Sequence, residues 1–390
     1  MHWTEGPSAG VGRLSVVFAV LVLISGLPSV SFADPPALSI SPSQARMAAA
    51  GQVTIRDGRI FIDGAPFRIR GINYNPTPVG TDIIDPGAPK FDVPRIAALG
   101  ANTVGTYHLG LAEWGRRSNV TSGEVFYDAL YPVAEADNLK IVVGYFSNHT
   151  MDWTDRTRVA RVTAQYQRLV LKARQRPSTL LYLIGNEVFE RLSTDDQRRA
   201  YAVWIGEMVA WTLVNDPAHP VVYADSQSLP GLKWLKSYAP NLGVYGINNY
   251  AFTSPETLST ILTAQRRAWP GKPILLHEWG TDSWNAQRGV TDERAQSERL
   301  NELAAAVQAV SSDPTHPFIG SLYFAYNDEW RFVGPWSTQD HDRGWTCGSC
   351  FDGQADEDHW GLARAVEVKG AGGRTFKPAY GTLQTAWGGR

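Results

Sequence analysis

The strongest constraint on this chain is an alternation. From residue 53 onward, short β-branched or aliphatic runs are followed by longer stretches with helical spacing, and the order repeats until eight such runs have passed. The runs predict core strands at Arg68 to Asn73, Asn102 to Tyr107, Lys140 to Tyr145, Leu180 to Ile184, Val221 to Ala224, Gly243 to Asn248, Ile274 to His277 and Ser321 to Tyr326. Helices are predicted around Val93 to Leu99, Glu124 to Asp137, Asp155 to Arg176, Asp195 to Asn215, Pro255 to Ala268 and Asp292 to Val310, with a weaker segment over Leu229 to Tyr238. Crossovers of this length join parallel strands. Eight strands joined in this way suit an α/β chain closed into a (β/α)8 TIM barrel, which takes about 250 residues and tolerates insertions. An open doubly wound sheet is the alternative, but the Gly-rich phosphate loop of its nucleotide-binding version is missing after the first strand. Ahead of the barrel, Val53 to Ile62 alternates apolar and polar residues about Asp57-Gly58, which predicts a short N-terminal hairpin.

Residues 1–33 read as a signal peptide: Arg13, an apolar stretch from Leu14 to Leu27, and the small-x-small site Ser31-Phe32-Ala33. Residues 34–50 read as a linker or disordered mature N-terminus, and 51–390 as the barrel domain. The expected location is secreted or periplasmic, with an N-terminal membrane anchor as the alternative if the signal is uncleaved. With 36 Lys and Arg against 38 Asp and Glu, no basic excess exists to displace counterions, so a nucleic-acid partner is disfavoured. The two cysteines stand together as Cys347-Gly-Ser-Cys350, which behind an export signal predicts a local disulfide. A zinc site would need further ligands such as His341 or His359, and the acid-rich stretch Asp352 to Asp358 lacks EF-hand spacing and reads as a solvated loop.

A TIM barrel builds its active site at the C-terminal ends of its strands. The polar residues there are Asn73, Tyr107 with His108, Tyr145, Asn186 with Glu187, Asp225, Asn249 with Tyr250, Glu278 with Trp279, and Asn327 to Trp330. Glu187 and Glu278 each follow an apolar strand directly. Two carboxylates facing each other across an acetal are the minimum equipment for glycoside hydrolysis. A single acid in such a place would be weak evidence, since helix first turns favour acids too. His277 precedes Glu278, so strand alternation predicts that it turns toward the helical layer as a structural histidine. Trp279, Trp284, Trp330, Trp336 and Trp345 gather at or after the last two strands, where each is either a stacking face for a sugar ring or ordinary packing.

These residues resemble a family. Ile184-Gly-Asn-Glu187 resembles the strand-four acid/base motif of the retaining β-glycosidases built on TIM barrels, the clan that includes glycoside hydrolase families 2 and 5 and related β-glucanases and glucanosyltransferases. Pro273-Ile-Leu-Leu-His-Glu-Trp-Gly280 is similar to that clan's strand-seven nucleophile motif. Further matches are Phe67-Arg-Ile-Arg-Gly-Ile-Asn-Tyr74, Ile247-Asn-Asn-Tyr250, Asn327-Asp-Glu-Trp330, His359-Trp-Gly-Leu362 and Lys377-Pro-Ala-Tyr380, so the likeness runs over roughly residues 53 to 387. It implies Glu187 as general acid/base, Glu278 as nucleophile, Asn186 on the sugar 2-hydroxyl, and Tyr250 donating to Glu278. Asn73, Tyr107, His108, Trp279 and Trp330 join Asn186 and Tyr250 as expected substrate contacts.

One departure stands out: Gly105 occupies the strand-two slot where the clan usually carries an Arg that steadies the nucleophile. Arg70 and His108 are the candidate replacements, and the alternatives are a modified subsite or a weakened or inactive enzyme. The sequence therefore reads as an exported retaining hydrolase of a β-linked oligo- or polysaccharide, a β-glucan by preference, needing no cofactor and no metal. A transglycosylase using the same glutamates and a non-catalytic glycan binder are the alternatives.

Overall fold

The computed structural model describes residues 51–78, 84–107, 120–329, 345–365 and 374–389. The signal peptide and linker expected over 1–50, together with His108, Trp330, Trp336 and His341, lie outside the described residues. The chain opens with β1 (Val53–Arg56), β2 (Arg59–Ile62) and β3 (Ala65–Phe67), an antiparallel three-stranded sheet. Asp57 (φ 51°) and Gly58 (φ 69°) are both left-handed, as a tight two-residue hairpin turn requires. Gly58 is further demanded by space, because a Cβ there would lie 2.4 Å from the Pro317 Cβ.

The barrel follows as β4 (Ile69–Asn73), β5 (Thr103–Gly105), β6 (Lys140–Gly144), β7 (Thr179–Asn186), β8 (Val221–Asp225), β9 (Val244–Asn248) and β10 (Ile274–Trp279). A two-stranded ribbon, β11 (Trp284–Asn285) with β12 (Val290–Thr291), intervenes before β13 (Phe318–Tyr323) completes the circle between β10 and β4. All eight barrel pairings are parallel. A last ribbon, β14 (Trp345–Thr346) with β15 (Gln354–Ala355), carries the cysteine turn.

Alternation along the strands sorts the core into two layers. Ile69, Val142, Leu181, Leu183, Val222, Leu275 and Leu322 fill the barrel interior, while Ile72, Tyr182, Ile184, Tyr223, Ile247 and Leu276 pack outward against the helices. Helix starts follow their caps. Asp155 accepts from the Thr157 and Arg158 amides, Thr194 from Gln197, and Ser254 forms a reciprocal capping box with Thr257, so helices begin at Arg156, Asp195 and Pro255. Among the described residues, the α-helices Val188–Arg191 and Pro378–Trp387 had no sequence expectation.

The eighth strand begins three residues before the expected Ser321. Gly320 lies within the strand, and only a glycine fits there, because the Ile69 carbonyl oxygen passes 2.1 Å from where a Cβ would sit. Beyond Tyr323 the ladder thins to single bonds, such as the Tyr326 amide to the Asn73 carbonyl (2.9 Å).

Candidate active site

Both glutamates arrive at the barrel mouth through a break in strand register. The β7–β8 ladder shifts between Leu183 and Asn186, and the β9–β10 ladder shifts between Leu276 and Glu278. Such irregularities re-aim side chains at strand ends. Glu187 also has left-handed backbone (φ 53°, ψ 21°), which for a residue with a Cβ costs on the order of 1 kcal/mol. Its amide is fixed to the Ala224 carbonyl at 2.9 Å.

Glu278 is only 7% exposed and is gripped by two phenols. Tyr107 donates to Oε1 at 2.7 Å and Tyr250 donates to Oε2 at 2.9 Å. Burial, and then the Glu278 charge, push both phenols well above the usual tyrosine range, so each stays a protonated donor. The same two phenols also feel the charge of Glu187, and Tyr107 that of Glu329, so three carboxylates share this mouth. Glu329 is buried and accepts from Asn75 Nδ2 at 2.6 Å.

Asn248, at the end of β9, links the two sides. Its Nδ2 donates to Glu187 Oε1 (2.8 Å) and to Asn186 Oδ1 (3.0 Å), while its Oδ1 faces His277 Nδ1 at 3.1 Å. His277 is fully buried, stands edge-on to the Tyr107 ring, and lies 3.8 Å from Glu278 Oε1. The expectation that it faces the helical layer is therefore corrected. Leu275 already points into the barrel, so alternation puts His277 inside as well, and the register shift after Leu276 then brings Glu278 to the same side.

Several expected substrate contacts occupy other places. Asn73 is 0% exposed and donates to the His277 carbonyl at 2.8 Å, so it is part of the floor beneath Glu278 and not of the cleft wall. Trp279 is also 0% exposed and packs in the outer core between Phe252 and Tyr323, because the residue after the shifted Glu278 turns outward. Tyr107 and Tyr250 spend their hydroxyls on Glu278. Asn186 stays half-buried beside Glu187.

Gly105 and Arg70 resolve the departure in strand two. A Cβ at Gly105 would lie 2.1 Å from Asn73 Oδ1 and 2.9 Å from Leu322 Cδ1, so Asn73 fills the space a longer side chain would need. Arg70 points away, bonding the Gly100 carbonyl at 2.7 Å in front of β5. Among the described residues, Glu278 is held by neutral donors instead.

The rim beyond β10 and β13 is built by the short ribbons. Cys347 and Cys350 form a disulfide, and Arg299 donates to the carbonyls of Gly348 and Ser349, fixing that turn. The turn sets Trp345, half-buried, edge-on to Tyr250 and parallel to Trp360. Trp284, also half-buried, stacks on His359. The stretch Asp352 to Asp358 is not a solvated loop. Asp356 and Asp358 are buried, and Asp352 and Asp356 accept from backbone amides two residues on, so the acids cap the turns that carry the ribbon. Among the described residues, no three His, Cys, Asp or Glu side chains are grouped to hold a metal. Nor is any described helix long and apolar enough to cross a membrane.

The motifs near the C-terminus meet at one ion pair. Lys377 Nζ donates to Asp328 Oδ1 (2.6 Å), Ser283 Oγ (2.9 Å) and the His359 carbonyl (3.1 Å), tying the end of the eighth strand to the rim.

The fold is that of glycosidase barrels. A putative β-galactosidase from Bacteroides fragilis superposes with a TM-score of 0.58 at 16% identity, over 87% of this chain and 45% of that one. A β-glucuronidase from Bacteroides uniformis gives 0.60 at 13%, over 86% and 37%, and one from Bifidobacterium dentium gives 0.59 at 17%, over 87% and 49%. The chain thus spans less than half the length of these structures. No family model and no curated protein matches the sequence.

Asn248, His277 and Asn75 were not anticipated as site residues, and Glu329 was placed at a strand end without a role. Asn248 and Glu329 lie inside motifs already singled out, so their proximity was legible; their partners were not.

Proposed function

We propose that the protein is an exported retaining glycoside hydrolase that cleaves a β-linked glycan, a β-glucan by preference, through Glu278 and Glu187. The observation that carries this reading is the pair of glutamates, one directly after β7 and one on β10, joined to one mouth by Asn248, with Glu278 held by two phenols. In the first half-reaction Glu278 attacks the anomeric carbon while Glu187 gives its proton to the departing oxygen. Tyr107 and Tyr250 keep the attacking carboxylate ionised and aimed, and its negative charge is lost as its oxygen bonds the anomeric carbon to form the glycosyl ester. In the second half-reaction Glu187 takes a proton from the water that opens the ester.

Interception of the same ester by a sugar hydroxyl gives transglycosylation instead. The names of the similar structures, β-galactosidase and β-glucuronidase, agree with a β-glycoside as substrate, and half-buried Trp345 and Trp284 on the rim offer faces for further sugar units. The disulfide agrees with an oxidising compartment.

The test is a screen of β-linked polysaccharides and aryl β-glycosides, with products identified by mass and their anomeric configuration by NMR. Retained product, abolished by Glu278→Gln and slowed about 10²–10⁴-fold by Glu187→Gln, is expected. Inverted product, or full activity in Glu278→Gln, would overturn the assignment.

A further inference from the structure

His277 sits between the two glutamates, is buried, and has no part in the double displacement itself. Its hydrogen-bond state can be deduced. Asn248 Nδ2 donates to both Glu187 Oε1 (2.8 Å) and Asn186 Oδ1 (3.0 Å), so Oδ1 is the end turned to His277. An amide oxygen also only accepts, so His277 Nδ1 carries the hydrogen. His277 Nε2 is buried with no partner among the described residues, which fits a bare lone pair and not a charged N–H. Burial alone pushes this histidine down to about 3, so the ring is neutral at working pH. Its backbone is pinned as well, by the Asn73 side chain at 2.8 Å.

We propose that His277 is a positioning residue for the acid/base: its Nδ1–H holds the Asn248 amide in the one orientation that presents Nδ2 to Glu187, from the strand that also carries Glu278. This inference rests on the glycosidase reading above. Without the Nδ1–H, the amide loses the bond that holds its oxygen and can turn to accept from a protonated Glu187, at the expense of the bond from Nδ2 to Asn186 Oδ1. The flipped arrangement favours the protonated acid, while the native arrangement favours the carboxylate that must act as base in the second half-reaction. Among the described residues the other titratable groups at this mouth are Glu278 on β10, Tyr107 after β5, Tyr250 after β9 and Glu329 after β13; His277 Nδ1 lies 3.8 Å from Glu278 Oε1 and its ring is edge-on to Tyr107, so a neutral amide in its place is compared with a second neutral amide and not with the wild type alone.

The chemistry supplies a matched pair of variants. The Asn amide nitrogen falls near the Nδ1 position of a histidine and the Gln nitrogen near Nε2, so His277→Asn keeps the donor to Asn248 and His277→Gln loses it. Both are polar and close in size, and the active fraction of each is counted by trapping Glu278 with a 2-deoxy-2-fluoro glycoside and reading intact mass. The measurement is the pH profile of kcat/KM per trapped site on whichever β-glycoside the wild type cleaves. In His277→Gln the alkaline limb is expected to move up by about one pH unit, a tenfold change in the ionisation balance of the acid/base. In His277→Asn it is expected to stay near the wild-type position.

Equal limbs in both variants, with only a uniform loss of rate, would overturn the positioning role and leave the glycosidase reading standing. A wild type that neither turns over nor traps on any β-glycoside would overturn that reading and the positioning role with it.

Discussion

Replacing Gly105 by Ala tests whether the floor of the site is built as described. The added Cβ would lie 2.1 Å from Asn73 Oδ1, 3.3 Å from Asn73 Cγ and 2.9 Å from Leu322 Cδ1, so Asn73 must move. Moving it breaks the buried bond from Asn73 Nδ2 to the His277 carbonyl. Overpacking costs about 1–3 kcal/mol, and stranding a buried polar group about 1–3 kcal/mol more. The sum is roughly 2–6 kcal/mol, which at an unfolding entropy of about 2.1 cal/mol/K per residue lowers Tm by roughly 3–8 °C in a domain of this size. The diagnostic is a double-mutant cycle read by denaturant unfolding. With Asn73→Ala as background, most of the clash and the bond to be broken are already gone, so the cost of Gly105→Ala should shrink by about 1–3 kcal/mol. Strictly additive costs would refute the claim that Asn73 fills the Gly105 space. By the same reasoning Gly105→Arg is expected to inactivate and destabilise, because the volume for a guanidinium is already occupied.

The remaining expectations concern the donors, the rim and one buried acid. Tyr107→Phe and Tyr250→Phe each remove a charge-assisted bond of about 1.5–3 kcal/mol from Glu278, so kcat/KM should fall roughly 10–150-fold with the acid limb of its pH profile moving upward; an unmoved limb would mean the phenols do not hold the nucleophile. Lys377→Met strands the Asp328 carboxylate, already pushed up by burial, and should cost about 3–5 kcal/mol in chemical denaturation, with Asp328→Asn added to it recovering part of the loss. Reducing the Cys347–Cys350 disulfide releases a loop of only a few residues, worth roughly 2 kcal/mol, so unfolding should shift slightly while Trp345 fluorescence responds. Asp225 is pushed up to about 7 by burial, against the bonds from the Tyr245 hydroxyl and Gly231 amide. Its folded form keeps a proton that the unfolded chain loses near 4, so stability should fall by up to roughly 4 kcal/mol as pH rises from about 4 to about 7, and Asp225→Asn should flatten that slope.

Strand and helix order was legible because it depends on hydrophobic spacing, which each segment carries by itself. The helices at Asp195–Asn215 and Pro255–Ala268 fall where expected because Thr194 and Ser254 cap them locally. The two glutamates were legible for a similar reason, since each directly follows an apolar run. What the local pattern could not carry was register. A shift of one position after Leu276 decides that His277 and Glu278 share the mouth and that Trp279 is lost to the core, and it depends on pairing with β9, a strand about 30 residues away. The same holds for Asn73, whose partner is the His277 carbonyl two strands across the barrel.

Among the described residues, packing accounts for the glycine in strand two: a Cβ there would lie 2.1 Å from Asn73 Oδ1. A cation beside Glu278 would hold the carboxylate by charge and oppose the transfer of that charge to the sugar. Two phenols hold it by direction, at 2.7 and 2.9 Å, and because burial keeps both protonated they cannot drift into competing anions. The space the arginine would need is then free for Asn73, which ties the strand carrying the nucleophile to the first strand of the barrel. Gly105, Asn73, His277 and Asn248 form one continuous contact running from the floor of the barrel to Glu187. A change at Gly105 should therefore reach the acid/base as well as the nucleophile, shifting both limbs of the pH profile in Gly105→Ala where Tyr250→Phe shifts only the acid one.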